Sequence, residues 1–327
     1  MIGKCGVCYE PLGHGEKAFH AKCSQKLFGT RTPPTLPIAA ADIEKLAKKT
    51  VAASVTVPGV QTKISLHLQK PPASPGRLTI VGLWGAFILK PPTDQYPHLP
   101  ETEDLTMHLA EIAGIKTVPH GLMPLEDGRM AYITRRVDRV SSSRGRKKIV
   151  TQRHMEDMCQ LAEKMTEHKY IGSVEQIAAL VRKHSASAGY DITRLFDLVL
   201  FSFLAGNADM HLKNISLLYD KNGYVNLAPA YDLLSTRLII PEKLDPEESA
   251  LAINGKKAKL QRTDFETFGR TAGMTQKQID NAFDRLLDKV TEMIAFLSKG
   301  SLPPQKSLRF RELILSRAER ISPKPSR

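Results

Sequence analysis

The sequence predicts an α+β fold of two lobes, strand-rich towards the N-terminus and helical towards the C-terminus, with a small cysteine- and histidine-bearing module at the start. Three observations predict it. Between residues 62 and 90, apolar side chains alternate as in a strand (Thr62, Ile64, Leu66, Leu68) or run together (LTIVGLWGAFILK). From residue 101 the apolar spacing becomes helical, and ITRLFDLVLFSFLAG is apolar on nearly every face, the pattern of a central buried helix. Within the first 23 residues, Cys5, Cys8, His20 and Cys23 stand as C-x-x-C-x11-H-x-x-C.

Composition sets the outer limits. With 327 residues, 42% hydrophobic and 25% charged, the chain can bury a sizeable core, which excludes a disordered or fibrous protein. Lys and Arg number 47 against 34 Asp and Glu, and the resulting +13 attracts phosphate-rich partners such as nucleotides, nucleic acid or anionic surfaces. The longest apolar stretch, Leu198 to Ala205, falls far short of the roughly 20 residues a membrane span needs. The N-terminus lacks an apolar signal core, so a reducing cytoplasm without disulfides is the expected compartment.

Each element follows in turn. Residues 1–30 form the cysteine and histidine module, ending at LFGT, and TPPTLP is an extended connector because residues before proline leave the helical region. AADIEKLAKKT reads as a short helix, QTKISLHL as a strand, and LTIVGLWGAFILK as a second strand region ending on Lys90, giving a hairpin-like lobe. ETEDLTMHLAEIAGI is a helix, and LMPLE and MAYITRRV are strands. The changeover falls near RRVDR, so the strand-rich lobe spans 31–137 and the helical lobe 138–327. Six positive charges and no acid between Arg139 and Arg153 predict an exposed loop. ISLLYDKNGYVNLAP is a hairpin, and TQKQIDNAFDRLLDKVTEMIAFLSKG one long helix with a Thr275/Gln278 capping box and Gly300 as terminator.

The residues that carry chemistry cluster after the buried helix. In LAGNADMHLKNISLLYD, Asp209 and Asn214 have the D-x-x-x-x-N spacing of a protein-kinase catalytic loop, where the Asp accepts a proton from a substrate hydroxyl and the Asn offers a neutral oxygen to magnesium. Asp232, eighteen residues past Asn214, stands where a kinase places its second metal ligand. Lys90 ends an apolar strand like the lysine that holds nucleotide phosphates, and Glu103, with Glu101 as competitor, is its candidate ion-pair partner. Gly59 in SVTVPGVQTK lets backbone N–H groups approach phosphates, and Lys63 adds charge. Phosphorylation of Ser54 or Thr56 there would place roughly two negative charges beside that site.

The N-terminal pattern fits a closed tetrahedral Cys3His zinc site of structural type, resembling a zinc ribbon or knuckle, with His14 able to replace His20. Free buried thiols are the alternative, and Cys159 is read as one.

Taken together, GVQTK, FILK, LPETEDLTMHLAEIAGI, RRVDR, EDMCQL, GNADMHLKN and YDLLS resemble the HipA-type serine/threonine kinase toxins of bacterial toxin-antitoxin systems, and the compact build is most similar to the HipT toxins of three-component HipBST-like systems. The resemblance implies a two-lobed protein-kinase-like fold, ATP and Mg2+, and phosphorylation of a serine on an aminoacyl-tRNA synthetase. It also implies antitoxin partners, a HipS-like small protein and a HipB-like helix-turn-helix DNA binder. By position, Asp209 is catalytic, Asn214 and Asp232 hold metal, Lys90 meets phosphates, and backbone at Arg135, Arg136 and Val137 meets adenine, with Gly59, Val60, Gln61, Lys63 and His211 completing the nucleotide set. The sequence departs from the family in two places. Thr56-Val57-Pro58 stands where the compact toxins carry paired serines, making Thr56, then Ser54, the acceptor expected for autophosphorylation; the Cys3His module is the second departure. An alternative reading is a degenerate kinase fold acting as a zinc-containing regulator that binds nucleic acid or protein. Adenylyl transfer from ATP is a third.

Overall fold

The computed structural model describes residues 3–40, 42–43, 62–69, 76–81, 85–144 and 147–323. It is a mixed α+β structure of two compact units. One comprises Met1–Asp104, Val118–Arg136 and Lys299–Leu302; the other comprises Leu105–Thr117, Val137–Ser298 and Pro303–Arg327.

The first unit is built on a five-stranded antiparallel sheet. Its strands are β1 (Ile64–Gln69), β2 (Arg77–Ile80), β3 (Phe87–Lys90), β4 (His120–Pro124) and β5 (Met130–Arg135), in the order β2-β1-β3-β5-β4. The sequence region LTIVGLWGAFILK is thus two strands, not one, and both flank β1 (Leu66 pairs with Ile80 on one side and Phe87 on the other). Gly85, just before β3, lies close against β1: its N–H donates to Ser65 Oγ at 2.9 Å and a Cβ there would stand 2.3 Å from that oxygen, so glycine is required.

The N-terminal segment and α1 (Ala21–Phe28) share the core of this sheet: Cys5, Val7, Phe19, Leu27 and Phe28 are buried with Leu66, Leu89 and Ile133. The segment also covers an edge. Leu122 of the outer strand β4 donates its N–H to Gly6 O at 2.7 Å, and a Cβ on Gly6 would sit 2.1 Å from Leu122 O, so glycine is required there. Of the predicted helix at AADIEKLAKKT, only residues 40, 42 and 43 are described. Helix α2 (Leu99–Ile112) begins in this unit and ends in the other.

The second unit starts with a ribbon. Where the charge run predicts an exposed loop, β6 (Arg139–Arg144) and β7 (Lys147–Gln152) pair in register from Arg139 with Gln152 to Arg144 with Lys147. Charge count concealed the strand-forming run Ile149, Val150 and Thr151. Arg139 itself is buried and ion-paired with Asp138. Next come β8 (Met155–Asp157), α3 (Met158–Leu161), α4 (Val174–His184) and α5 (Ala188–Ala205). The predicted central helix is α5, buried along Leu195, Phe196, Leu198 to Phe201, Phe203 and Leu204. Strands β9 (Ser216–Tyr219) and β10 (Val225–Leu227) form the predicted hairpin and join β8 in a three-stranded sheet.

Helices α6 (Arg262–Thr271), α7 (Gln276–Asp288), α8 (Val290–Leu297) and α9 (Pro304–Ile321) complete the unit. Phe196 stacks on Phe268 with ring centroids 5.6 Å apart, and Phe203 meets Phe265 at 5.1 Å. Each such ring contributes about 1.5–3 kcal/mol on burial. The predicted 275–300 helix is two helices. Lys289 donates its N–H to Leu286 O as well as Leu287 O, tightening the turn at the break. The Thr275/Gln278 capping box forms, but α8 ends at Leu297, short of Gly300. No helix among the described residues is long and apolar enough to cross a membrane.

Candidate active site

Helix α5 delivers the catalytic-type turn. It ends at Gly206, which takes φ 74° and returns its N–H to Phe203 O and Ser202 O. A side chain there would stand 2.6 Å from Leu313 Cδ2, so this stop admits only glycine. Beyond it, Ala208 donates its N–H to Thr236 Oγ1 (2.9 Å) and Asp209 donates its N–H to Asn207 Oδ1 (3.2 Å). Asn214 closes the turn by donating Nδ2 to Asp209 O at 3.0 Å. That bond orients the amide, so Oδ1 is the atom it can offer to a hard cation.

Asp209 Oδ1 accepts a hydrogen bond from Tyr170 OH at 2.7 Å, and the Tyr170 ring meets His211 edge-on at 5.1 Å. Burial first, then the bond to Asp209 and the charges of Asp209 and Asp232, hold the Tyr170 phenol well above its usual range. Burial also lowers the His211 pKa, against the pull of Asp209, so the ring is neutral at pH 7. The charges of Asp209 and Asp232 therefore act on one pair of rings. Asp232 adopts φ 61°, a left-handed conformation that aspartate tolerates and that is concentrated at functional sites. Tyr231 beside it is anchored through its hydroxyl to Ser216 Oγ (2.5 Å) and Lys213 O (3.1 Å). Two buried polar atoms in this turn, Asn207 Nδ2 and His211 Nδ1, have no hydrogen-bond partner among the described residues. Asp209, Asn214 and Asp232 carry oxygens of the kind a hard cation takes, and the open Asn207 Nδ2 donor suits a polar ligand.

In the strand-rich unit, Lys90 at the end of β3 is 3% exposed and its Nζ lies 2.5 Å from Glu103 Oε1 on α2. Tyr132 of β5 backs the ammonium, with its ring centroid 5.5 Å away. Lys63 is exposed, just before β1. Ser54, Thr56, Gly59, Val60 and Gln61 lie outside the described residues. At the predicted adenine segment, Arg135 and Arg136 already donate their N–H groups to Pro119 O and Ala86 O, both at 2.9 Å. Neither N–H is available to a base.

The cysteine and histidine residues come together. The ligand atoms of Cys5, Cys8, His20 and Cys23 all lie within 4.8 Å of one another. His20, not His14, is the histidine of the cluster. Its Nδ1 is 3.3 Å from Cys8 Sγ and 3.9 Å from Cys23 Sγ, bracketing the separation of about 3.6 Å that tetrahedral zinc imposes. His20 Nε2 lies 2.9 Å from Pro11 O, the outer hydrogen bond that leaves Nδ1 to face a metal. Around Cys5, burial raises the thiol pKa, but N–H groups of Val7, Cys8 and His20 more than offset it, so the net shift is downward. Cys23 is pushed up to about 12 by burial and by the neighbouring sulfurs. A cation would relieve that repulsion. Cys159 is a buried free thiol.

Sequence reasoning missed three participants. Tyr170 lies in a polar stretch without a motif, and Tyr9 and His120 show no periodic signal, yet both contact Asp104.

With this geometry in place, residues 55–294 match the HipA-like C-terminal domain family, and the chain belongs to it. It is similar to the putative kinase Y4mE of Sinorhizobium fredii, 32% identical over 249 residues that cover 74% of this chain and 56% of the relative. It is also similar to a putative kinase of Haemophilus influenzae, 24% identical with 92% of each chain covered. The chain spans only about half the length of Y4mE and of Y4dM, its second Sinorhizobium relative (56% and 54%). Among solved structures it resembles HipA of the Shewanella oneidensis HipA, HipB and operator DNA complex (TM-score 0.65, 20% identity, 87% of this chain and 71% of that one). The proinflammatory kinase CtkA of Helicobacter pylori also matches (TM-score 0.52, 16% identity, 72% and 87% covered). Both share the fold.

Proposed function

We propose that this chain is an ATP- and Mg2+-dependent serine/threonine protein kinase of the compact HipT type, acting as the toxin of a bacterial toxin-antitoxin system. The observation that carries the reading is the turn after α5, where Asp209 and Asn214 are locked together by one hydrogen bond and share their electrostatic surroundings with Asp232. Asp209 accepts the proton of the substrate hydroxyl, and Asn214 Oδ1 and Asp232 are the oxygen ligands for Mg2+. The cation, when bound, neutralises phosphate charge. Lys90, held by Glu103, serves the nucleotide phosphates, and His211, neutral and with an unpartnered Nδ1, lines the same turn.

The substrate class is a protein serine, with an aminoacyl-tRNA synthetase as the foremost target, and Thr56 or Ser54 the site of self-phosphorylation. The partners are a HipS-like small protein and a HipB-like DNA-binding antitoxin, an assignment supported by the structural neighbour, which comes from a complex of HipA, HipB and operator DNA. The Cys3His cluster binds one Zn2+ that fastens the N-terminal segment to the sheet, so chelation lowers the melting temperature and cobalt substitution gives a tetrahedral thiolate spectrum. The kinase reading is tested by incubating the chain with magnesium ATP and weighing the products. Gain of one phosphoryl group on Thr56, Ser54 or a co-incubated synthetase supports it, whereas gain of an adenylyl group, or no gain with tight DNA binding, points to the alternatives.

A further inference from the structure

We propose that the Cys3His cluster positions Lys90 through a buried chain of contacts beginning at Tyr9, so that metal loading of the N-terminal segment sets the reactivity of this lysine. Tyr9 directly follows Cys8. Its N–H donates to Cys5 O at 2.9 Å, and its backbone takes φ 62°, a conformation bulky residues avoid unless their surroundings impose it. Here the turn that carries two of the four cluster ligands imposes it. The side chain is 2% exposed and its hydroxyl donates to Asp104 Oδ2 at 2.5 Å.

From Asp104 two routes converge on Lys90. Along α2, Asp104 follows Glu103, whose carboxylate holds the lysine. Fixing Asp104 fixes the helical turn that presents Glu103. Across the sheet, Asp104 Oδ1 lies 2.6 Å from His120 Nδ1 on β4, the His120 ring stacks on Tyr132 (6.1 Å, 26°), and Lys90 Nζ stands 5.5 Å from the Tyr132 ring centroid. All these residues belong to the strand-rich unit. Hydrogen bonds to a buried carboxylate are charge-assisted and costly to leave unmade, so removing the Tyr9 hydroxyl displaces the group it holds. Tyr9 is a positioning residue that acts through Asp104 and Glu103.

The experiment uses the full chain loaded with zinc. Lys90 is acylated with an amine-directed reagent and its rate followed by mass spectrometry, while zinc content and melting are measured in parallel. Tyr9→Phe is expected to keep its zinc and its melting transition, to speed Lys90 acylation about five- to tenfold, and to raise the KM for ATP with little change in kcat. Chelation of the zinc produces the same acceleration. Glu10→Gln, which breaks only an exposed ion pair with Lys299 in the same segment, leaves the rate unchanged. Should Tyr9→Phe lose zinc or fail to fold, Asp104→Asn, which leaves every cluster residue in place, carries the same expectation. Acylation at the wild-type rate in the zinc-loaded variant and in the stripped protein overturns the proposal. The KM effect alone rests on the kinase reading: faster acylation in a chain that transfers no phosphate defeats that reading and leaves the coupling standing, and normal transfer with unchanged acylation does the reverse.

Discussion

The strand-rich unit and the helical unit each hold charged side chains that the sequence singles out, and they treat charge in opposite ways. Lys90 is buried, backed by Tyr132 and closed by Glu103, so its charge is answered within the unit. The turn at 206–214 is fixed by neutral hydrogen bonds among backbone, Asn207, Asn214 and Thr236, and it retains unpartnered polar atoms at Asn207 and His211. Rigid geometry with unsatisfied valence is what a ligand-binding turn needs, whereas a satisfied buried pair supplies a positioned cation that exchanges partners only when something better arrives. The lysine is thus closed within its unit, whereas the turn that carries Asp209 keeps open polar atoms.

Five substitutions sharpen that contrast. Lys90→Met leaves Glu103 buried without its cation and costs about 3–5 kcal/mol of unfolding free energy in urea titrations, and Lys90→Met with Glu103→Gln recovers most of the loss. Asp264 is a closed carboxylate within the helical unit. It accepts from Lys256 Nζ (2.8 Å), Asn254 Nδ2 (2.9 Å) and Gln261 N (2.9 Å). Burial alone would raise its pKa, but these bonds bring it below the ordinary value. Asp264→Asn accordingly costs about 1–3 kcal/mol near pH 7. Because the folded pKa is depressed, that contribution is complete above the unfolded pKa of about 3.9 and disappears as pH falls through the folded value, so wild type and variant converge in acid. Tyr170→Phe removes the phenol that competes for Asp209 Oδ1 and raises kcat/KM for a protein substrate about fivefold. Asp209→Asn, at a turn held by other groups, shifts stability by no more than about 0.5 kcal/mol in the same urea titrations.

Much of this was legible in the sequence because local rules governed it. The buried helix, the hairpin after Asn214, the spacing of Asp209 and Asn214, and the cysteine spacing each rest on periodicity or on short-range geometry. The ribbon at 139–152 was hidden because six charges in a short span outweigh, to the eye, the strand propensity of alternate positions. Lys289 breaks the long helical pattern without proline or glycine, so periodicity runs through it unmarked. Tyr170 and Tyr9 were invisible for a different reason. Their roles come from tertiary contacts, to Asp209 39 residues on and Asp104 95 residues on, and a single tyrosine carries no sign of its distant partner.

The central claim is that the turn after α5 transfers phosphate. The most direct measurement is transfer of radiolabelled γ-phosphate from magnesium ATP to the chain itself or to an aminoacyl-tRNA synthetase, comparing wild type with a folded Asp209→Ala variant. The account predicts transfer by wild type and a loss of about 10²–10⁴-fold in the variant. Undiminished transfer by Asp209→Ala would contradict it.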